Sequence, residues 1–479
     1  MSRSSPHRAN RVLHPIEITS LDAYLNCGGG RGLCAALSQD PNAVIEMVTQ
    51  SGLRGRGGAG FPVGRKWATV ADNCRNGQAS PAVVVNGAEG EPGTFKDRSI
   101  IRSNPYQLVE GALIAAHAVR AKRIVLATKA SFAREVTALR AAIGAMRKAG
   151  MIGASIEISV FEGPDEYLFG EESALLETID GHGPFPRVTP PYRIGLTSRC
   201  RDGEQPGPAL VNNVESIANL PKIVARGPEW FRRVGTDESP GTVVCTVTGD
   251  TRHHGVGEVR FGTPLRRVIR SVGGGPRPGA PIKAVMSGVA NPVIRRDQLG
   301  TRVSHEAMRE IGCGLGSCGF IVFDSNQDMV AVAAGIARFL SVESCGQCTP
   351  CKSDGLALSS LLERLARNDA DAFDLAQIRR KIDTVAFGAR CYLGVQQETV
   401  LRSLLQTFGD EFDRHLDGSL PAAPPVLISE LVDIGDGVAV LDEHHRTKQP
   451  DWTHNCTDSG SVPAEVRARR NPDRGLPLG

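Results

Sequence analysis

Residues 341–351 read SVESCGQCTPC, which sets Cys345, Cys348 and Cys351 at intervals of three on one short segment. Gly346 and Pro350 keep that segment from simply continuing a helix. A fourth thiol, Cys391 in GARCYLG, follows 40 residues later, after one helical hairpin has had length to return. Structural zinc prefers two separate two-cysteine knuckles or Cys/His pairs. Three thiolates from one turn plus one from elsewhere suit the corners of an iron–sulfur cube. The spacing predicts a [4Fe–4S] cluster on Cys345, Cys348, Cys351 and Cys391, with structural zinc and unliganded thiols as the competing readings. The other eight cysteines are scattered and read as small buried or surface thiols, although CGLGSC (313–318) could form a redox pair.

Two further stretches could hold a ligand. GLRGRGGAGFPVGRKW (52–67) contains G-x-G-x-x-G at Gly55, Gly57 and Gly60. A dinucleotide fingerprint should follow a strand and open a helix; this one follows a helix and precedes Pro62. It still offers unhindered backbone N–H groups among Arg54, Arg56, Arg65 and Lys66, suited to a phosphate or a flat ring. The alternative is a flexible basic surface loop. VVVNGAEGEPGTFKDRS (83–99) runs from a buried strand straight into an acidic turn. In a parallel sheet the ligand crevice lies off the carboxyl ends of the strands, which is where Asn86, Glu89 and Glu91 fall. In YLFGEESALLETIDG (167–181), Gly170, Glu171 and Glu172 precede an apolar helix, where carboxylates also serve as caps. The amides of Asn212 and Asn213 in PALVNNVES could read a heterocycle or be ordinary turn residues.

The elements that position these residues follow from periodicity. From about 15 to 238 strand-like runs (AVVVNG, KRIVLATKA, SIEISVFEGP) alternate with helical ones, which predicts an α/β fold with a mostly parallel sheet and helices on both faces. Residues 239–326 hold short strands around one helix, a small α+β domain. Residues 327–417 are nearly all helical, a small bundle. Residues 418–479 lose periodicity and read as a largely disordered tail with a short strand near PPVLISELV. The 479 residues, 41% hydrophobic and 22% charged, are those of an ordinary globular protein of about three domains. With 55 basic and 52 acidic side chains there is no sequence-wide attraction for nucleic acid. No apolar run reaches membrane-span length, and the polar N-terminus has no secretory h-region, so a cytoplasmic protein without direct membrane insertion is expected.

Taken together, GLRGRGGAGFP.G.KW, EGEPGTFKDR, GEES, NNVES and ESCGQCTPC…C, in this order and at these spacings, resemble the NADH-binding flavoprotein subunit of respiratory complex I. They are equally similar to the diaphorase subunits of NAD-linked formate dehydrogenases and hydrogenases. The resemblance covers about residues 20–415. It implies a Rossmann-like FMN domain, a β-grasp-like soluble-ligand-binding domain and a four-helix bundle carrying the cluster. It implies that Gly55, Arg56, Gly57, Gly58, Ala59 and Gly60 line the flavin and nucleotide cleft, with Lys66 near the FMN phosphate and Phe61 packed on NADH. Asn86, Glu89, Tyr167, Gly170, Glu171, Asn212 and Asn213 would frame the flavin. Glu91 and Glu172 would face NADH, and Tyr192 stands where an aromatic stacks on adenine. A carboxylate near the adenosine ribose would favour NAD over NADP. Two positions depart from the pattern: Ala88 replaces an acid of an N-A-D-E loop, and Thr189 replaces a common lysine.

The implied activity is NADH dehydrogenation: hydride transfer from NADH to FMN, then single electrons to the cluster and on to partner redox subunits. The chemistry belongs to the cofactors, so no side chain is expected to act as acid, base or nucleophile. The chain has no second cysteine cluster, which makes a separate thioredoxin-like [2Fe–2S] subunit the expected partner, with any membrane association indirect and on the inner face. A catalytically silent Fe–S adaptor is the reading from another class, and Ala88 is its support.

Overall fold

The computed structural model describes residues 10–75, 80–198 and 206–450. Four strands, β1 (Ala82–Gly87), β2 (Arg123–Lys129), β3 (Glu157–Gly163) and β4 (Ala209–Asn213), form one sheet in the order β3-β2-β1-β4. All of its pairings are parallel. β1 is buried except at the half-buried Asn86, as a Val-rich central strand covered on both faces should be. The helix Pro105–Val119 packs on one face of the sheet and is buried on nearly every side. The chain winds outward from β1 through β2 to β3, then returns to lay β4 on the opposite side of β1. That reversal is a topological switch point, and in open parallel sheets the ligand crevice lies there, off the carboxyl ends of the strands, here β1 and β4.

The second sheet orders β5 (Thr242–Gly249), β6 (Gly255–Arg260), β7 (Ile282–Ser287), β8 (Ile294–Arg295) and β9 (Gly319–Asp324) as β6-β5-β9-β7-β8. Only the β5–β9 pairing is parallel. The helix Leu265–Gly273 lays Leu265, Val268, Ile269 and Val272 across this mixed sheet, giving the expected β-grasp-like unit. The helices Met329–Glu343, Thr349–Ala366, Ala372–Thr384 and Leu393–Thr407 then pack around a core that includes Leu340, Leu358, Ile378 and Val400.

The expectation of a largely disordered tail is corrected for residues 418–450. Strands β10 (Leu431–Gly435) and β11 (Val438–Leu441) form an antiparallel hairpin held by interactions that periodicity does not register. Glu430 pairs with the buried Lys129 and lies 3.9 Å from Arg98. Arg338 donates to the carbonyls of His445, Arg446 and Lys448. His254 binds the hairpin through Ala439 N–H at 2.8 Å. The segment is thus a strap across all three units. Residues 451–479 lie outside the described residues.

Candidate functional site

The crevice forms where parallel register sets Asn86 beside Asn213 and Val85 beside Asn212. Asn86 donates to the Gly170 carbonyl at 2.8 Å and accepts from Ala88 N–H at 3.1 Å, which fixes the turn after β1. The Asn212 carbonyl oxygen accepts from the Trp67 indole at 2.9 Å. Its NH2 has no protein partner among the described residues, a donor left for a ligand. Asn213, by contrast, is fully used: it caps the helix Val214–Ala218, accepts from Lys96 and donates to Asp97.

The glycine loop forms a closed neck. Arg54 bridges Pro62, Gly55 N–H donates to the Phe61 carbonyl at 2.8 Å, and Val63 N–H to Leu53 at 2.9 Å. Gly60 sits at φ 64° with His305 beneath it, where a Cβ would come within 2.3 Å of the imidazole. Gly57, Ala59 and Phe61 are exposed, so the loop leaves backbone and one aromatic ring open to solvent. Arg56 does not. Its side chain is buried and turns inward, donating to the carbonyls of Arg54 (2.7 Å) and Thr242 (3.1 Å), stacking on Phe261, and lying 3.6 Å from Glu215. It anchors the loop to β5.

The acidic residues divide in the same way. Glu89 is buried and turned away, accepting from Asp97 N–H (3.0 Å) and the Arg98 guanidinium (3.1 Å). Glu91 accepts from the Tyr167 hydroxyl (2.6 Å) and Val289 N–H (2.7 Å), tying the first sheet to the second; burial pushes its carboxyl upward. Glu171 caps the helix Glu172–Ile179. Glu172 pairs with Lys66 and is half-exposed. Tyr192 is 37% exposed, held through its carbonyl by Asn73. Ala88 sits in an apolar cluster with Phe169 and Leu175, so an acid there would be desolvated.

The buried group Lys96, Asp97 and Glu215 went unassigned in the sequence, although all three lie inside EGEPGTFKDR and NNVES. Lys96 lies 2.6 Å from Asp97 and 3.2 Å from Glu215. Burial lifts the Asp97 carboxyl to about 6 against the pull of Lys96. The only sequence signal was the run of charges directly after a buried strand.

Cys345, Cys348, Cys351 and Cys391 line one small cavity together with Leu168, Pro186 and Leu393. Cys345 lies in the loop; Cys351 falls in the first turn of Thr349–Ala366, because Pro350 is tolerated there rather than breaking the helix. Arg390 N–H points at Cys348 Sγ (3.4 Å), and the amides of Gln347 and Gln397 point at Cys345 (3.5 Å) and Cys351 (3.6 Å). Such N–H···S contacts stabilise cluster sulfurs. Burial raises the Cys345 and Cys391 thiols and takes Cys351 to about 11, so occupancy must displace their protons. Four thiols around a cavity with amide donors fit a cluster. The Cys313–Cys318 pair does not form: Cys313 donates to the Pro292 carbonyl, while Cys318, just before β9, lies against Cys245 of β5.

Residues 48–222 match the Nuo51 FMN-binding domain, and 331–415 match the NADH-ubiquinone oxidoreductase-F iron–sulfur binding region. The F 2 subunit of the NADH-quinone oxidoreductase of Rhizobium meliloti (strain 1021) is 35% identical over 407 residues, covering 83% of this chain and 94% of that protein. This chain belongs to the family of NADH-quinone oxidoreductase F subunits. The NADP-reducing hydrogenase subunit HndC of Solidesulfovibrio fructosivorans is 32% identical over 410 residues, 84% of this chain and 82% of that one. A solved NAD+-reducing [NiFe]-hydrogenase in the H2-reduced state superposes with a TM-score of 0.73 at 30% identity, covering 85% of this chain and 68% of that one. Family membership makes the chain an FMN- and [4Fe–4S]-dependent oxidoreductase subunit. No helix among the described residues is long and apolar enough to cross a membrane.

Proposed function

We propose that the chain is the electron-entry subunit of an NADH-oxidising complex, with the glycine loop and the Asn86/Asn212 crevice as the FMN and NADH cleft. When bound, FMN accepts hydride from NADH and the cluster takes electrons singly toward partner subunits. The residues bind and orient. Asn212 offers its free NH2 to the flavin edge, the 57–61 backbone lies along the rings, and Lys66 and Glu172 guard the mouth. Lys66 balances phosphate charge, and Glu172 accepts from the ribose hydroxyls and disfavours a 2′-phosphate. Glu89, Glu171 and Asn213 act one step behind the cleft, as caps and braces. Cys345, Cys348, Cys351 and Cys391 hold the cluster.

One observation supports this reading most directly: a single short segment serves both sites. Gly170 binds Asn86 at the crevice, while Leu168, two residues earlier, lines the cysteine cavity. Electrons leaving the flavin would therefore meet the cluster without crossing the molecule. The finer assignment to a complex I-like assembly, with a thioredoxin-like [2Fe–2S] subunit as neighbour and the membrane reached through partners on its inner face, follows the NADH-quinone oxidoreductase relatives. The hydrogenase likeness supports a diaphorase subunit as the second reading. Stopped-flow bleaching of flavin in the reconstituted chain tests the proposal: NADH should bleach it rapidly and NADPH poorly. Equal rates would remove the role given to Glu172, and no bleaching would favour a silent adaptor.

A further inference from the structure

Away from the crevice and the cysteines, a cavity of about 300 Å³ opens between the N-terminal segment, the helix Leu220–Arg226 and the start of β5. Its lining includes Arg11, Lys222, Arg226, Arg260, Trp230 and Thr242. None of the four cations in this concavity makes an ion pair within 4 Å among the described residues. Among the described residues the Arg11 guanidinium donates to the carbonyls of Phe231 (3.0 Å) and Trp230 (3.2 Å), and the Lys222 ammonium to those of Arg11 (2.6 Å) and Asn10 (3.5 Å), with no carboxylate in the set. Arg226 and Arg260 have no ion-pair partner among the described residues.

The nearest acid is already spent. Glu258 is buried below, where it accepts from the backbone N–H groups of Val12 (2.9 Å) and Leu13 (3.0 Å) and from the Thr242 hydroxyl. Burial, and then the neighbouring guanidinium groups, lower the affinity of Arg11 and Lys222 for their protons against the pull of Glu258. The arrangement stores repulsion that an anion would relieve. Trp230 holds the guanidinium of Arg11 at 4.0 Å and that of Arg226 at 5.1 Å from its ring, orienting both. The chain's own first nine residues, MSRSSPHRA, are basic and cannot neutralise the cavity.

We propose that this cavity binds an oligophosphate, the di- or triphosphate portion of a nucleotide or its inorganic equivalent. At about 300 Å³ the cavity reaches the lower end of the range of small-ligand sites, more than a single small oxyanion needs. Planar guanidinium forks match phosphate oxygens in pairs, and a concave lining suits a small ligand better than a flat protein surface. Thr242 connects the site to the crevice: its hydroxyl donates to Glu258 below the cavity, and its carbonyl accepts from Arg56 of the glycine loop. Occupancy would thereby alter how firmly the loop is held.

The test uses the full chain loaded with FMN and cluster, so that the flavin phosphate position is filled. Inorganic tripolyphosphate, ATP and adenosine are titrated by calorimetry, with NADH oxidation followed in parallel. We expect one saturable site for tripolyphosphate and ATP, none for adenosine, and a change in KM for NADH. Affinity should weaken at least about tenfold in Arg226→Glu and in Arg260→Glu. Both residues are exposed, and flavin content and basal activity should be unchanged in these variants. ATP binding without tripolyphosphate binding would give the recognition to the base and overturn the proposal, as would binding indifferent to both variants. Binding that leaves KM unmoved overturns the link through Arg56.

Discussion

Arg56 gives the sharpest separation between a residue that touches ligand and one that holds the site from behind. Replacing it by Met removes a guanidinium that is 4% exposed, along with two hydrogen bonds to carbonyls and its interaction with Glu215. Breaking a buried pair by removing one partner costs about 3–5 kcal/mol. Glu215 keeps Lys96 at 3.2 Å, which favours the lower part of that range. At about 2–4 °C per kcal/mol for a domain of this size, the melting transition should fall by roughly 6–20 °C. Arg56→Lys keeps the charge but not the fork, and should recover only part of the loss. The assay is thermal unfolding by circular dichroism with and without FMN, beside a flavin titration. A variant melting within about 2 °C of the parent while binding FMN far more weakly would refute the anchoring role, because the guanidinium would then be acting on the ligand.

Three other perturbations have definite outcomes. Burial, and then Arg56 and Arg54, hold the His305 imidazole down at about 3, below its ordinary 6.5, so the folded chain keeps it neutral where an unfolded chain protonates it. Its contribution is complete above pH 6.5 and drains away toward pH 3; denaturant melts of His305→Gln should be flatter over that window, by on the order of a few kcal/mol. Cys391→Ser should cost the cluster, read as lost iron and lost cluster absorption, while NADH still bleaches the flavin. Glu430→Gln removes the counter-charge of the buried Lys129 and should destabilise by roughly 2 kcal/mol in urea, with faster proteolysis of the strap, and an unchanged midpoint would mean the strap contributes little.

How much was legible follows from which signals are local. The alternation of strands and helices gave the parallel sheet, because a β-branched run such as AVVVNG and a helical period such as that of 105–119 are each written within a dozen residues. The meeting of Cys345, Cys348, Cys351 and Cys391 at one cavity was legible because their spacing along the chain carries the signal. What was hidden is direction. The same motif supplies outward backbone at Gly57 and an inward side chain at Arg56, and nothing in GLRGRGG distinguishes them. Glu89 and Glu91, two residues apart, cap one helix and bridge two units respectively. Beyond the short strand near PPVLISELV the strap was missed, because isolated ion pairs and hydrogen bonds to residues about a hundred or more positions away, such as Glu430 with Lys129 and Ala439 with His254, carry no periodic pattern. The basic cavity was likewise invisible: Arg11, Lys222, Arg226 and Arg260 meet only after folding.

In the proposed function, reducing equivalents must pass from nucleotide to iron by way of the flavin. Freeze-quenched electron paramagnetic resonance of the reconstituted chain tests this most directly. NADH should produce a reduced-cluster signal when FMN is bound and none when FMN has been stripped. A cluster that stays oxidised in the flavin-loaded protein, or one that NADH reduces equally well without flavin, would contradict it.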